Sequence, residues 1–323
     1  MEFSPLVSAE GAVCWPRPLT VGLSISGAED AARFGLGRGD LDSMFGEVTR
    51  SLRHAGVVLA YGGHLKTGGH TGRLADFVLE RPLDEAAWDT RSGPGAVVYW
   101  PWPRSRAVRP PATWAPAIEV RHCERPSDID ETLDPTFTAS PTAEISASTA
   151  LGRLAWARGL SVMRERQTSE VVARVVMGGR VGTAGGYLGR MPGVLEETLL
   201  ALRAGQPVFL IAALGGCARL VADALDGVER RELTWDYHRV VPHSRELRHF
   251  YAARGLAWDD YENVADELCA IGFAGLGNGL TIEENRELVQ TRSGPRAAEL
   301  VLRGLERCYP SLTYPLSARA EPS

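Results

Sequence analysis

Three glycine-rich segments, each directly after a run of strand-forming residues, contain groups that could hold a phosphate. They cover residues 26–27, 61–69 and 178–193. Glycine lets a backbone approach a phosphate closely, and a helix N-terminus offers free N–H groups and the positive end of a dipole. We therefore expect an anion site where the segments meet. Its backbone contacts are predicted at Ser26, Gly27, Gly62, Gly63, Gly178, Gly179 and Gly193.

Cationic side chains in the same segments favour the same chemistry. Lys66 is the single lysine among 35 basic residues, and it lies beside Thr67 in the second segment. A compact ammonium on a flexible stem suits a phosphate contact, although an exposed loop lysine is an equal alternative. Arg180 and Arg190, in the third segment, are candidate clamps for a diphosphate, with plain solvent exposure as the alternative.

An acidic helix start supplies a possible acid–base group. The helix predicted after Pro192 carries Glu196 and Glu197 in its first residues. A carboxylate can orient water or ribose hydroxyls while an N-glycosidic bond breaks through an oxocarbenium-like state. The helix dipole alone also favours acid at this place. We predict Glu197 as the functional carboxylate and Glu196 as a ligand contact.

The positioning elements alternate along the chain. Helices are predicted at 41–53 (with Asp40 as N-cap), 72–80, 144–168, 193–204 and 216–225. Strands are predicted at 19–26, 57–60, 96–100, 117–122, 173–177 and 207–213. This order predicts an α/β fold, a Rossmann-like open, mostly parallel sheet with helices on both faces and a crevice at the carboxyl ends of the strands.

The predicted organisation is one elaborated unit. We expect an N-terminal extension over 1–18, a nucleotide-binding core over 19–226 with an irregular excursion at 104–141, and a helical extension over 227–323 packed on the core.

Composition excludes several classes of protein. A net charge of −5 disfavours a nucleic-acid partner, and no segment approaches membrane-spanning length, so we expect a cytoplasmic protein. The five dispersed cysteines show no metal-ligand spacing, and neither a metal site nor a resident cofactor is predicted. The dehydrogenase, P-loop and serine-hydrolase glycine motifs are missing from the sequence.

Together these segments resemble the SLOG superfamily, which contains LOG-type nucleotide phosphoribohydrolases and nucleotide-sensing relatives. Tyr61-Gly62-Gly63 is similar to their YGGG-like element, and MRERQ at 163–167 to their M-H-x-R-K. Residues 177–179 and 192–197 are similar to the two ends of P-G-G-x-G-T-x-x-E. The resemblance implies that, in an enzyme, Arg166 and Glu197 would be the catalytic pair.

The chain departs from those enzymes at 180–191, which separates the glycine pair from the acidic helix. In this it resembles the SLOG branch associated with TIR and nucleoside-phosphorylase domains in bacterial defence. That resemblance implies sensing of an NAD-derived or related nucleotide and a separately encoded effector protein. With the glycine-rich segments and their basic residues, we expect an ADP-ribose- or NAD-related ligand or a nucleoside monophosphate. The resemblance to the wider family also implies a homodimer or larger assembly. Cleavage of a nucleotide to base plus ribose phosphate is the alternative.

Overall fold

A six-stranded parallel sheet forms the centre of the protein. The computed structural model describes residues 6–7, 13–14, 19–63, 69–79, 94–104, 109–115, 117–129, 145–182 and 186–310. The strands are β1 (Thr20–Ser26), β2 (Val58–Gly62), β3 (Ala96–Trp100), β4 (Ile118–His122), β5 (Ala173–Gly178) and β6 (Val208–Ile211). Their spatial order is β4-β3-β2-β1-β5-β6, and every neighbouring pair is parallel. A short antiparallel pair, Leu6–Val7 with Val13–Cys14, forms separately. The predicted Rossmann-like sheet is confirmed.

Helices follow most of the strands. They are α1 (Arg38–His54), α2 (His70–Leu79), α3 (Ala150–Glu170), α4 (Gly193–Arg203), α5 (Gly216–Leu225), α6 (Trp235–His238), α7 (Ser244–Ala253), α8 (Tyr261–Ile271), α9 (Ile282–Gln290) and α10 (Gly294–Cys308). Among the described residues, none of these helices combines the length and the apolar content needed to cross a bilayer.

Two helix starts differ from the prediction because of local capping. Helix α3 begins at Ala150, since the side chain of Thr149 accepts a hydrogen bond from the Gly152 N–H and fixes the first turn there. Helix α1 begins at Arg38, so Asp40 lies in the first turn and is not the N-cap. Its carboxylate accepts a 2.7 Å hydrogen bond from the Gly37 N–H.

Both faces of the sheet are covered, as predicted. Side chains alternate along a strand. In β2, Leu59 and Tyr61 therefore join the core formed with α1, α2 and α10, whereas Val58 and Ala60 pack with Met163 of α3. Burial on both faces explains why these strands have nearly continuous apolar sequences.

The strand order reverses direction between β1 and β5. From β1 the chain runs outward to β2, β3 and β4, and then returns to β5 on the other side of β1. Ser26 at the end of β1 is in register with Gly178 at the end of β5. Such a switch point leaves a crevice outside the carboxyl ends of the strands, because the connections on either side diverge.

The C-terminal helices pack on the sheet unit. Helix α8 contacts α5, α9 contacts β6 and α10 contacts α1. Leu300 and Val301 of α10 are buried in the same core as Val21 of β1. These helices therefore stabilise the elements from which the crevice is built.

Candidate functional site

A cleft of about 710 Å³ opens at the carboxyl ends of β1 and β2, beside the switch point. Its walls come from the ends of these strands, the start of α2, one face of α3, residues around 180 and 186–188, and the start of α4. Many of the predicted site residues meet here. Those that line the cleft are Ser26, Gly27, Gly62, Gly63, Arg180, Gly193 and Glu197.

Gly178 and Gly179 lie beneath the cleft and do not line it. Both have positive φ, 60° and 102°. The Gly179 carbonyl accepts a 3.0 Å hydrogen bond from the Cys217 N–H, and a Cβ added at Gly216 would lie 2.3 Å from that carbonyl oxygen. The glycine pair thus allows two backbone loops to pack closely, where the sequence predicted a ligand contact. Lys66 and Thr67 lie outside the described residues.

Arg166 also lies outside the cleft lining. Its Nε donates a 2.8 Å hydrogen bond to Glu170, its Nη1 donates a 3.0 Å bond to the His122 carbonyl, and 40% of the side chain is exposed. Arg164 lines the cleft instead, and its Nε donates to Oε1 of Glu197 at 3.3 Å. Two positions along a helix turn a side chain by about 200°. The arginine that contacts Glu197 is therefore Arg164, and not Arg166 as the sequence predicted.

Arg190 and Glu196 form a buried ion pair behind the cleft. Oε1 of Glu196 accepts hydrogen bonds from Ser161 Oγ at 2.5 Å and Arg190 Nε at 2.8 Å, and its other oxygen pairs with Arg164. Burial alone would raise the pKa of Glu196, but Arg164 and Arg190 outweigh burial and lower that pKa. Arg190 and Glu196 thus hold Arg164 and the preceding loop in place and do not line the cleft.

Gly193, at the start of α4, makes room for the Arg164 guanidinium. A Cβ at Gly193 would lie 2.5 Å from Nη2 of Arg164. The guanidinium therefore rests directly against the start of the helix. Any larger residue at this position would displace it from the two glutamates.

Glu197 reaches the cleft from α4 and is held from below. Ser24 Oγ donates a 2.5 Å hydrogen bond to its Oε2, and Nη1 of Arg174 lies 3.6 Å from the same oxygen. Arg174 is fully buried, and its Nη1 donates to Ser24 Oγ at 2.9 Å. With Arg164 on the other oxygen, both oxygens of the Glu197 carboxylate have polar partners.

The cleft has a surplus of positive charge. The described residues that line it include five arginines and two carboxylates: Arg73, Arg104, Arg153, Arg164, Arg180, Asp42 and Glu197. Arg73 pairs with Asp42, and Arg164 pairs with Glu197. A positive cleft in a chain of net charge −5 attracts anionic ligands.

Sequence reasoning missed Arg73, Arg104, Arg153 and Arg164, because single arginines carry no signal in an arginine-rich chain. One spacing could have revealed two of them. Arg153 and Arg164 are eleven positions apart on α3, which is close to three helical turns, so both face the same side.

Tyr187 connects the cleft wall to the C-terminal helices. Its hydroxyl lies 3.0 Å from Nδ1 of His238 on α6 and 2.9 Å from the hydroxyl of Tyr261 on α8. The His238 ring stacks on the Tyr261 ring with centroids 4.0 Å apart. Burial lowers the pKa of His238 to about 4 and raises the pKa of Tyr187 to about 12, so both groups are neutral at pH 7.

Comparison with protein families gives a match that covers most of the chain. A family model described as SLOG cluster2 matches residues 16–288, which include all six strands of the large sheet and every residue that lines the cleft. A search of curated proteins finds no match.

Proposed function

The chain belongs to the SLOG cluster2 family, and we propose that its cleft binds a phosphate-bearing, nucleotide-derived ligand as a sensor, without turnover. The family suggests a nucleotide-related function. The observation that carries the proposal is the excess of five arginines over two carboxylates in one cleft. The phosphates are the anionic groups of a nucleotide, and the planar arginine guanidinium matches their geometry in bidentate hydrogen bonds.

The dimensions and loops of the cleft support such a ligand. A volume of about 710 Å³ lies within the range of small-molecule sites. Ser26-Gly27, Gly62-Gly63 and the start of α4 converge there, so backbone N–H groups and Arg180 are available to one phosphate. An ADP-ribose- or NAD-related nucleotide, or a nucleoside monophosphate, fits this chemistry.

Sensing is favoured because one wall of the cleft is hydrogen-bonded to helices of the C-terminal part of the chain. Arg180 and Tyr187 both line the cleft, and Tyr187 contacts His238 and Tyr261 on α6 and α8. A ligand that contacts the cleft wall at Tyr187 would therefore shift a side chain that is bonded to the C-terminal helices. A separately encoded effector, or a second copy of the chain, would read this change in a bacterial defence or signalling system.

An N-glycosidase is the alternative, and the position of Glu197 favours it. Its carboxylate lines the cleft and contacts Arg164, which lines it too. A carboxylate beside the ribose could assist departure of the base. Both its oxygens are already bonded, however, to Ser24 and Arg164, which suits a fixed binding group better than a base that must accept a proton.

Calorimetric titration tests the binding proposal. The ligands are nucleoside phosphates, NAD, ADP-ribose and cyclic ADP-ribose, added to the wild type and to Arg180→Ala. We expect one ligand class to bind and Arg180→Ala to weaken it at least about tenfold, the loss of one charge-assisted hydrogen bond. Arg219→Ala, which removes an arginine paired with Asp223 outside the cleft, is the matched control. Lack of binding to folded protein by every ligand would overturn the proposal.

Chromatography of the same mixtures after incubation separates the two functions. Intact ligand is expected for a sensor. Release of free base that disappears in Glu197→Gln would establish the glycosidase instead.

A further inference from the structure

We infer that Arg153, together with the ring of Tyr187, forms a second anion subsite in the cleft and selects ligands that carry a second phosphate. This inference rests on the proposed function, that the cleft binds a nucleotide. It concerns the number of phosphates on the ligand, and it assigns the second one to a guanidinium on α3.

Arg153 is a buried cation without a counter-charge. Only 5% of the residue is exposed, yet it lines the cleft. Its Nη2 donates a long hydrogen bond, 3.4 Å, to the Gly189 carbonyl, and its buried Nε has no hydrogen-bond partner. Within the described part of the chain, no carboxylate lies within ion-pair distance of it. Burial lowers the pKa of Arg153, but a guanidinium still keeps its proton at neutral pH.

The neighbouring Arg164 shows what Arg153 lacks. Both guanidiniums reach Gly189: Arg153 donates to its carbonyl, and a Cβ added there would lie 2.9 Å from Nη1 of Arg164. Arg164 is neutralised by Glu196 and Glu197. Arg153 adds a second positive charge at the same place, and a buried charge that is not compensated by the protein is costly unless a ligand compensates it.

Tyr187 orients this guanidinium without neutralising it. The Arg153 Cζ lies 5.7 Å from the centre of the Tyr187 ring, which is the range of a cation–π contact. Tyr187 is itself held by His238 and Tyr261. The guanidinium of Arg153 is thus pre-organised beside the cleft, and its positive charge is available to pair with an anion of the ligand.

A ligand with two phosphates would use both subsites. One phosphate would meet the glycine loops and Gly193 at the start of α4, and the other would meet Arg153. A monophosphate occupies one subsite only and leaves either Arg153 or the glycine loops without an anion. The cleft should therefore prefer a diphosphate over the monophosphate of the same base.

The test compares pairs of nucleotides so that the unidentified base cancels. AMP with ADP, GMP with GDP, CMP with CDP and UMP with UDP are titrated calorimetrically at one ionic strength into the wild type and Arg153→Gln. In the wild type we expect the diphosphate of the preferred base to bind at least about tenfold more tightly. In Arg153→Gln this preference should fall below about threefold, with the monophosphate affinity nearly unchanged.

Controls keep the outcomes separate. Arg158→Gln changes an arginine of the same helix that pairs with Asp128 away from the cleft, and it should keep the full preference. Arg153→Lys retains the positive charge and should keep part of the preference for the diphosphate. Thermal unfolding checks that each variant is folded. Equal affinities in the wild type, or a preference that survives in Arg153→Gln, would overturn the second subsite and leave the proposed function standing. If none of these nucleotides binds, and NAD, ADP-ribose and cyclic ADP-ribose do not bind either, the proposed function itself is overturned.

Discussion

Ser24 Oγ donates a 2.5 Å hydrogen bond to Oε2 of Glu197, although the two residues are 173 positions apart in the chain. Ser24 also accepts a hydrogen bond from the buried Arg174. This serine therefore joins the middle of the sheet to the carboxylate that lines the cleft. Removing its hydroxyl would leave a buried guanidinium and a carboxylate each with one partner fewer.

We predict that Ser24→Ala lowers the free energy of unfolding by about 1–3 kcal/mol, because buried charged groups lose a hydrogen-bond partner. Denaturation in urea measures the change. Ser169→Ala, at an exposed serine on α3 whose hydroxyl donates to the Arg166 carbonyl, should change stability by less than about 0.5 kcal/mol. Equal stability of the two variants would contradict a structural role for the Ser24 hydroxyl.

The Glu196 carboxylate is predicted to stabilise the protein in a pH-dependent way. Its pKa in the folded protein lies below the ordinary value of 4.5. Its ion pairs thus stabilise the fold fully above that ordinary pKa, and this stabilisation is lost as the pH falls through the folded-state pKa. Glu196→Gln should cost about 3 kcal/mol at pH 7, the cost of breaking a buried pair.

Urea unfolding between pH 7 and pH 3 checks this prediction. The difference between wild type and Glu196→Gln should narrow as the pH falls below 4.5. Glu306→Gln, on the exposed part of α10, serves as the control. A difference that stays constant over the whole range would show that the charge of Glu196 does not matter.

His238 gives a second pH dependence in a different window. Burial lowers its pKa from 6.5 to about 4, so the unfolded chain binds a proton more readily than the folded protein between these values. Stability should therefore fall by up to about 3 kcal/mol as the pH drops from 6.5 to 4. His238→Gln should remove this slope, whereas His249→Gln, at an exposed histidine, should keep it. Parallel pH profiles for the wild type and His238→Gln would refute the prediction.

Gly193→Ala is predicted to weaken ligand binding. The new Cβ would lie 2.5 Å from Arg164 Nη2 and would push the guanidinium away from Glu196 and Glu197. We expect affinity for the bound nucleotide to fall about tenfold or more. Gly39→Ala, at an exposed helical glycine with no atoms within 4 Å of the added carbon, should bind normally and be equally or slightly more stable. Unchanged affinity in Gly193→Ala would mean that Arg164 does not need its observed position.

The glycine segments could be read from sequence, but their individual roles could not. Gly27 and Gly63 line the cleft as expected, whereas Gly178 and Gly179 pack against Gly216 and Cys217. A glycine lets the backbone be approached closely, and the approaching group can be another segment of the protein or a ligand. The sequence pattern is the same in both cases. At Gly178 and Gly179 the approaching group is the protein backbone at the start of α5, which is distant in sequence. Only the tertiary structure shows this.

The tertiary structure also decides which arginine of α3, Arg164 or Arg166, contacts Glu197. The motif identifies the right turn of α3, but one helical turn presents side chains in every direction. The packing of α3 against the sheet and α4 selects the phase, and this places Arg164 toward Glu197 and Arg166 toward Glu170. The unpaired state of Arg153 also depends on where carboxylates from other elements lie.

The sequence by itself determined the alternation of strands and helices, the parallel sheet, the SLOG resemblance and the region of the cleft, because these depend on local patterns of apolar residues, glycines and caps. Tertiary structure alone decided which charges meet. Ser24, Arg174 and Glu197 come from β1, β5 and α4, and no local pattern relates them. Buried ion pairs are set by distances of a few ångströms between elements far apart in the chain, and such distances exist only after the sheet has assembled.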